Sequence, residues 1–145
     1  MNALVKVKKQ GKARFIGVST HRDEPGVIRA AVDAGVYDVV LTAYNFVMER
    51  KTETKEAIQY AASKGMGIIA MKTQGGRQLQ KQEEVNHQAA LKWVLNDENV
   101  CTTIPGMTTF DQLEQNLKVM NDLALSKEEK MYIQMASRMI DHPKQ

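Results

Sequence analysis

The amino-acid sequence predicts an α/β fold of four parallel βα units followed by a C-terminal helix. Three observations carry this. Short apolar runs alternate with longer stretches of helical period from end to end, and strands separated by helices pair in parallel with the helices packed outside. The short runs are apolar almost throughout, as strands covered on both faces are. Three of the helical stretches stop at Gly11, Gly35 and Gly65, the residue suited to a left-handed cap.

The elements follow in order. Residues 2–10 read as a helical end closed by Gly11, and residues 13–19 as the first strand. Asp23, Glu24 and Pro25 suit a helix's first turn, after which Val27, Ile28, Ala31 and Val32 share a face. A second strand over 38–43 leads through a loop, 44–52, to a helix over 54–64 that buries Ala57, Ile58 and Ala61. The third strand spans 66–72, and a polar loop, 73–84, enters a helix over 86–96 carrying Ala90, Leu91, Val94 and Leu95. A short fourth strand, 100–104, ends at Pro105-Gly106. Thr109 caps the next helix, where Phe110, Leu113, Leu117 and Met120 recur at helical spacing. Ser126-Lys127-Glu128-Glu129 is a capping box for a last helix over 127–140.

Composition bounds the class. At 145 residues the chain fits one domain, 1–145, with a core of ordinary size. With 43% hydrophobic and 26% charged residues it is neither disordered nor membranous. No apolar run approaches the ~20 residues of a spanning helix, and the first residues lack the apolar core of a signal peptide. A net charge of +3 is too small to argue for nucleic acid. Cys101, the single cysteine, allows no intramolecular disulfide, which makes a reducing cytoplasm the expected compartment. The three histidines and Cys101 have no ligand spacing, so no metal is expected. Cys101, Trp93 and the nine methionines read as core, His21 as a solvated loop residue, and Lys6, Lys8 and Lys9 as a solvated helix end. Gln74-Gly75-Gly76-Arg77 looks like a phosphate cradle, but a glycine pair signals a flexible loop more often.

Several segments are similar to a known family. Gly11-Lys12-Ala13-Arg14-Phe15-Ile16-Gly17-Val18-Ser19 resembles the "GKvRyiGvS" strand of aldo-keto reductases, and Tyr44-Asn45 follows a strand as that family's "EYN" does. Residues 65–71 resemble "GIGviAy", 88–95 "qlALrWll", 104–106 "viPG" and 112–117 "qleeNl". The matches keep the family's order and spacing over 11–129. The resemblance implies strands five to eight of an eight-stranded (β/α)8 barrel, a half TIM barrel. The family's catalytic Asp, Tyr, Lys and His lie in the first half, so no catalytic residue is assigned here. His21, Tyr44 and Lys72 lie near strand ends but match none of those motifs.

What the resemblance carries over is an oxidoreductase's hold on NADP(H). Ser19-Thr20 matches the Ser-Asn pair that bonds the nicotinamide carboxamide; Thr20 has one hydroxyl where Asn has a donor and an acceptor. The family's Gln falls at Leu41 and its stacking Tyr at Met71. Gly106 and Met107 stand where Lys and Ser read the 2′-phosphate, Gln112 where Arg does and Gln115 where Glu does, while Asn116 is retained. Losing Arg and Lys removes charge-assisted donors, leaving backbone N–H groups at the start of the Thr109 helix for an anion. The implied binding of NADP or NAD is weak. Four strands cannot close a barrel that needs about eight. The expected partner is therefore a second copy, giving a homodimer, or a chain supplying the first half. The competing reading is an assembly module with neither catalysis nor cofactor.

Overall fold

The computed structural model describes residues 2–75 and 85–141, the side chains of 139–141 excepted. Gly76, Arg77 and the last four residues therefore lie outside the described residues. The order is α1 (Asn2–Lys9), β1 (Gly17–Thr20), α2 (Glu24–Ala34), β2 (Val39–Ala43), α3 (Lys51–Ser63), β3 (Gly67–Met71), α4 (His87–Leu95), β4 (Thr102–Thr103), α5 (Phe110–Val119) and α6 (Lys127–Asp141). The four strands form one sheet in the order β1-β2-β3-β4, every neighbouring pair parallel. The register sets Ser19 beside Leu41, Leu41 beside Ile69 and Ile69 beside Thr102.

Local chemistry explains most boundaries. Gly11, Gly35 and Gly65 take φ of +71°, +61° and +79°, where a side chain is strained. α3 begins three residues before the predicted start because the Thr54 N–H already donates to the Arg50 carbonyl at 3.0 Å. Thr54 itself is buried inside the helix. Both predicted caps form. The Thr109 hydroxyl accepts from the Gln112 N–H at 3.3 Å. Ser126 and Glu129 bond reciprocally, the Ser126 N–H to Glu129 Oε2 at 2.8 Å and the Glu129 N–H to Ser126 Oγ at 3.2 Å.

The core lies on one side of the sheet. Val40, Ile68 and Ala70 are fully buried and pack with Ile28, Ala31, Ala57, Ile58, Ala61 and Val94 of the helices, and Thr42 is fully buried as well. A second cluster joins Phe46 and Val47 to Ala89, Ala90, Ile133 and Ala136, so α6 covers α4 and the β2–α3 loop. Trp93 is packed against both clusters, its ring 5.0 Å from Tyr44 and 6.3 Å from Phe46. Each fully buried Ile or Val contributes roughly 1.5–3 kcal/mol of transfer free energy.

Several expectations are corrected. The second face of the sheet is covered only at its carboxyl end by the described residues: Ala43 and Met71 are buried, whereas Gly17 and Ser19 are exposed and Val39, Leu41, Gly67 and Ile69 are half-buried. β1 starts at Gly17 rather than residue 13, with Phe15 exposed ahead of it. β4 is two residues long, and Cys101, expected in the core, is exposed at this uncovered sheet edge, its sulfur accepting from the Ile68 N–H at 3.4 Å. Met66 and Met71 are buried as expected, but Met107, Met120, Met131 and Met135 are exposed. Lys8 is no free cation. Its ammonium bonds both oxygens of Asp38 at 2.6 Å, and Asp38 Oδ2 also accepts from the Ile16 N–H at 2.9 Å. This anchors α1 to the segment entering β2.

Candidate functional site

In a parallel sheet the loops leaving the carboxyl ends of the strands gather on one side, where ligands bind. Here those loops follow Thr20, Ala43, Met71 and Thr103. A cavity of about 330 Å³ lies among residues of four segments. Gln74 follows β3, His87 opens α4, Gly106 and Thr108 come from the β4–α5 loop, and Gln112, Gln115 and Asn116 from α5.

Hydrogen bonds orient its carboxamides. Gln112 Oε1 accepts from the Thr108 N–H at 2.7 Å and the Thr108 hydroxyl at 3.2 Å, so its NH2 group is the part left for other partners. Gln74 Nε2 donates to Asn116 Oδ1 at 2.9 Å, which ties the segment after β3 to α5 and leaves the Gln74 carbonyl and the Asn116 NH2. The cavity thus presents both donors and acceptors.

The structure brings together Gly106, Gln112, Gln115 and Asn116 of the residues assigned from sequence. Ser19, Thr20, Met71 and Met107 do not line this cavity. Ser19 is exposed at the end of β1. The Thr20 hydroxyl is committed to its own turn, donating to the Arg22 carbonyl at 2.6 Å and accepting from the Arg22 N–H at 3.3 Å. Met71 is buried and Met107 exposed. Gln74, His87 and Thr108 are the additions. Thr108 adjoins α5 in sequence, whereas Gln74 and His87 become its neighbours only because segments far apart in the chain meet.

The residues at strand ends have structural explanations. Tyr44 is buried, and its hydroxyl donates to Asp97 Oδ2 at 2.8 Å. Burial first, and the Asp97 carboxylate second, push this phenol far above its ordinary range, so it does not release a proton near neutrality. Asn45 donates from Nδ2 to the Lys72 carbonyl at 3.1 Å and accepts from the Val47 N–H at 3.1 Å. That clamp holds Lys72 at φ +52°, an uncommon conformation for a side-chain-bearing residue. His21 is exposed. Among the described residues there is no group of three His, Cys, Asp or Glu side chains placed to hold a metal ion. Nor is any described helix long and apolar enough to cross a membrane.

Comparison with known proteins agrees with this architecture. Two structures of aldo-keto reductase AKR11C1 from Bacillus halodurans, holo and apo, superpose with a TM-score of 0.70 at 20% sequence identity. They match 94% of this chain, which spans 54% of the holo chain and 55% of the apo chain. At that identity the likeness establishes the fold: four parallel βα units forming half of a TIM barrel. No curated protein matches. The sequence profile described as the Aldo/keto reductase family matches residues 1–89 and 77–138. On that match, the chain belongs to the aldo/keto reductase family.

Proposed function

We propose that this chain is the nucleotide-holding half of an aldo/keto reductase barrel, binding a nicotinamide nucleotide weakly and reducing no carbonyl on its own. One observation carries the reading. Four of the residues matched to the family's cofactor contacts, Gly106, Gln112, Gln115 and Asn116, meet in one polar cavity at the carboxyl end of the sheet. The nicotinamide, when bound, supplies the hydride; a carbonyl substrate also needs an acid beside its oxygen. The family's Asp, Tyr, Lys and His have no counterparts in the matched motifs, and Tyr44 is held by Asp97. Thr20 bonds within its turn, and Leu41 has no hydrogen-bonding group, so the nicotinamide end is held poorly. Calorimetric titration with NADH and NADPH, beside an assay for carbonyl-dependent oxidation of either, tests both parts. Saturable binding without turnover supports the reading; no saturation at millimolar nucleotide, or turnover by the chain alone, contradicts it.

A specific observation favours a second reading, an assembly module. α5 and its C-terminal cap carry Phe110, Leu117 and Met120 at 84%, 58% and 61% exposure, and much of the sheet's second face is left open by the described residues. The occupant is a second copy or a first-half chain, either of which supplies four strands. The helices distinguish them. A barrel seats one helix over each gap between strands, and this half has helices outside both edge strands, α1 before β1 and α5 after β4. A second copy would bring both to each seam, whereas a first half with helices only between its strands leaves one helix per gap. Helix inventory therefore favours the first-half chain. Sedimentation of the chain alone tests this: a compact, monodisperse dimer would favour the second copy.

A further inference from the structure

We infer that a groove at the amino end of the sheet, between α1 and the α2–β2 turn, binds an apolar chain that ends in a carboxylate. Its volume is about 490 Å³, within the range of about 300–1,000 Å³ usual for ligand sites. Asn2, Val5, Lys6, Lys9 and Gln10 line it from α1 and the residue that follows, and Val36 lines it from the turn. No residue is shared with the polar cavity at the carboxyl end. Positions 2, 5, 6 and 9 form one stripe of a helix, so α1 brings a valine and two lysines to Val36 together. Val5 and Val36 are half-buried, and Lys6 and Lys9 are exposed. The lysine stems extend the apolar wall while their ammonium groups stay in water at the rim.

Charge decides the class of occupant. Lys8 of the same helix is already paired with Asp38, but among the described residues neither Lys6 nor Lys9 is in an ion pair. The Lys6, Lys8 and Val7 carbonyls already accept from the Gln10, Gly11 and Lys12 N–H groups. The last turn of α1 therefore presents cations to a ligand rather than open carbonyls. Two valines and two lysine stems are too little apolar surface for a partner helix, which needs anchors over two turns. They match a single alkyl chain, whose carboxylate meets the ammonium groups while its methylenes cover both walls. Binding also ties α1 down. No α1 residue is buried, so a ligand touching both Val5 and Val36 adds a second attachment beside the Lys8–Asp38 pair.

The experiment is an amide nuclear magnetic resonance titration of the whole chain with hexanoate, octanoate and decanoate, each below its micelle concentration, and with octanol as the uncharged counterpart. Saturable shifts are expected at Val5, Lys6, Lys9, Gln10 and Val36. Affinity should rise about two- to fourfold per added methylene, the lower figure applying to a chain half open to water. Octanol should bind several-fold more weakly than octanoate, the size of exposed charge pairs. Lys6→Gln combined with Lys9→Gln changes two exposed side chains. It should lower octanoate to the affinity of octanol and leave octanol unchanged. Equal binding of octanoate and octanol by the parent, or parental octanoate affinity in the double variant, overturns the inference. Shifts centred elsewhere, or none at millimolar carboxylate, also overturn it. Shifts with phosphatidylglycerol vesicles but not with the monomeric carboxylates overturn it in favour of a contact with a membrane surface.

Discussion

The helices at the centre of the sheet and the helix at its edge have the same kind of apolar spacing and opposite fates. α2 and α3 bury Ile28, Ala57, Ile58 and Ala61 to 4% exposure or less. α5 repeats Phe110, Leu113 and Leu117 at helical intervals, yet leaves them 84%, 37% and 58% exposed, with Val119 its buried residue. Sequence pattern does not explain the difference; neighbours do. α2 and α3 each lie between paired strands in the chain, β1 with β2 and β2 with β3. α5 follows β4, the edge strand of the sheet among the described residues. A helix stripe states what a surface can bury, and the sheet decides whether anything is there to bury it.

The sharpest way to break this comparison is a pair of truncations. Ile58→Ala should cost about 2–5 kcal/mol, since it empties a fully buried site. Leu117→Ala should fall within about 0.5 kcal/mol in the isolated chain. Urea unfolding of both variants measures the contrast, and equal losses would mean that α5 is packed against something in solution. Next in size is Gly17→Ala. A Cβ there would lie 2.6 Å from the Val39 carbonyl oxygen, so β1 must move from β2 at a cost of about 1–3 kcal/mol. Gly106→Ala is the control, with open space around its Cβ. Smaller again is Ser126→Ala, which removes one side of the α6 capping box and should cost about 1 kcal/mol.

The most local expectation concerns acid. The Lys8 ammonium and then the Ile16 N–H hold the Asp38 carboxyl below its ordinary value. A depressed folded-state value contributes stability above the unfolded carboxylate range, and this is lost as pH falls through the folded value. Hydrogen exchange should therefore show α1 loosening on acidification before α2 and α3. Asp38→Asn should give the same loosening at neutral pH, and an unchanged α1 in that variant would break the link.

The alternation of strands and helices was legible because each buried face is written locally, as in Ile28 with Ala31 or Ile58 with Ala61. The caps at Thr109 and Ser126 were legible for the same reason, each being settled within three residues. Cys101, Met107 and Met120 were misplaced because they lie exposed at β4 and on either side of α5, and no local pattern records whether a neighbour covers them. The site divides along the same line. Gly106, Gln112, Gln115 and Asn116 lie close together in sequence around one loop and helix, and motif matching found them. Gln74, just after β3, and His87, at the start of α4, reach the cavity from 32 and 19 residues before Gly106. The one advance signal for Gln74 was the polarity of the loop over 73–84. Thr20 was identified as a weaker partner than Asn; its commitment to the Arg22 backbone appeared only in the folded turn.

The central claim is that a nicotinamide nucleotide binds at this cavity, and its most direct test is an amide nuclear magnetic resonance titration of the whole chain with NADH. The account predicts saturable shifts concentrated at Gln74, His87, Gly106, Thr108, Gln112, Gln115 and Asn116, with the α2 and α3 amides unmoved. Saturable shifts centred elsewhere, or none at millimolar NADH, would contradict it.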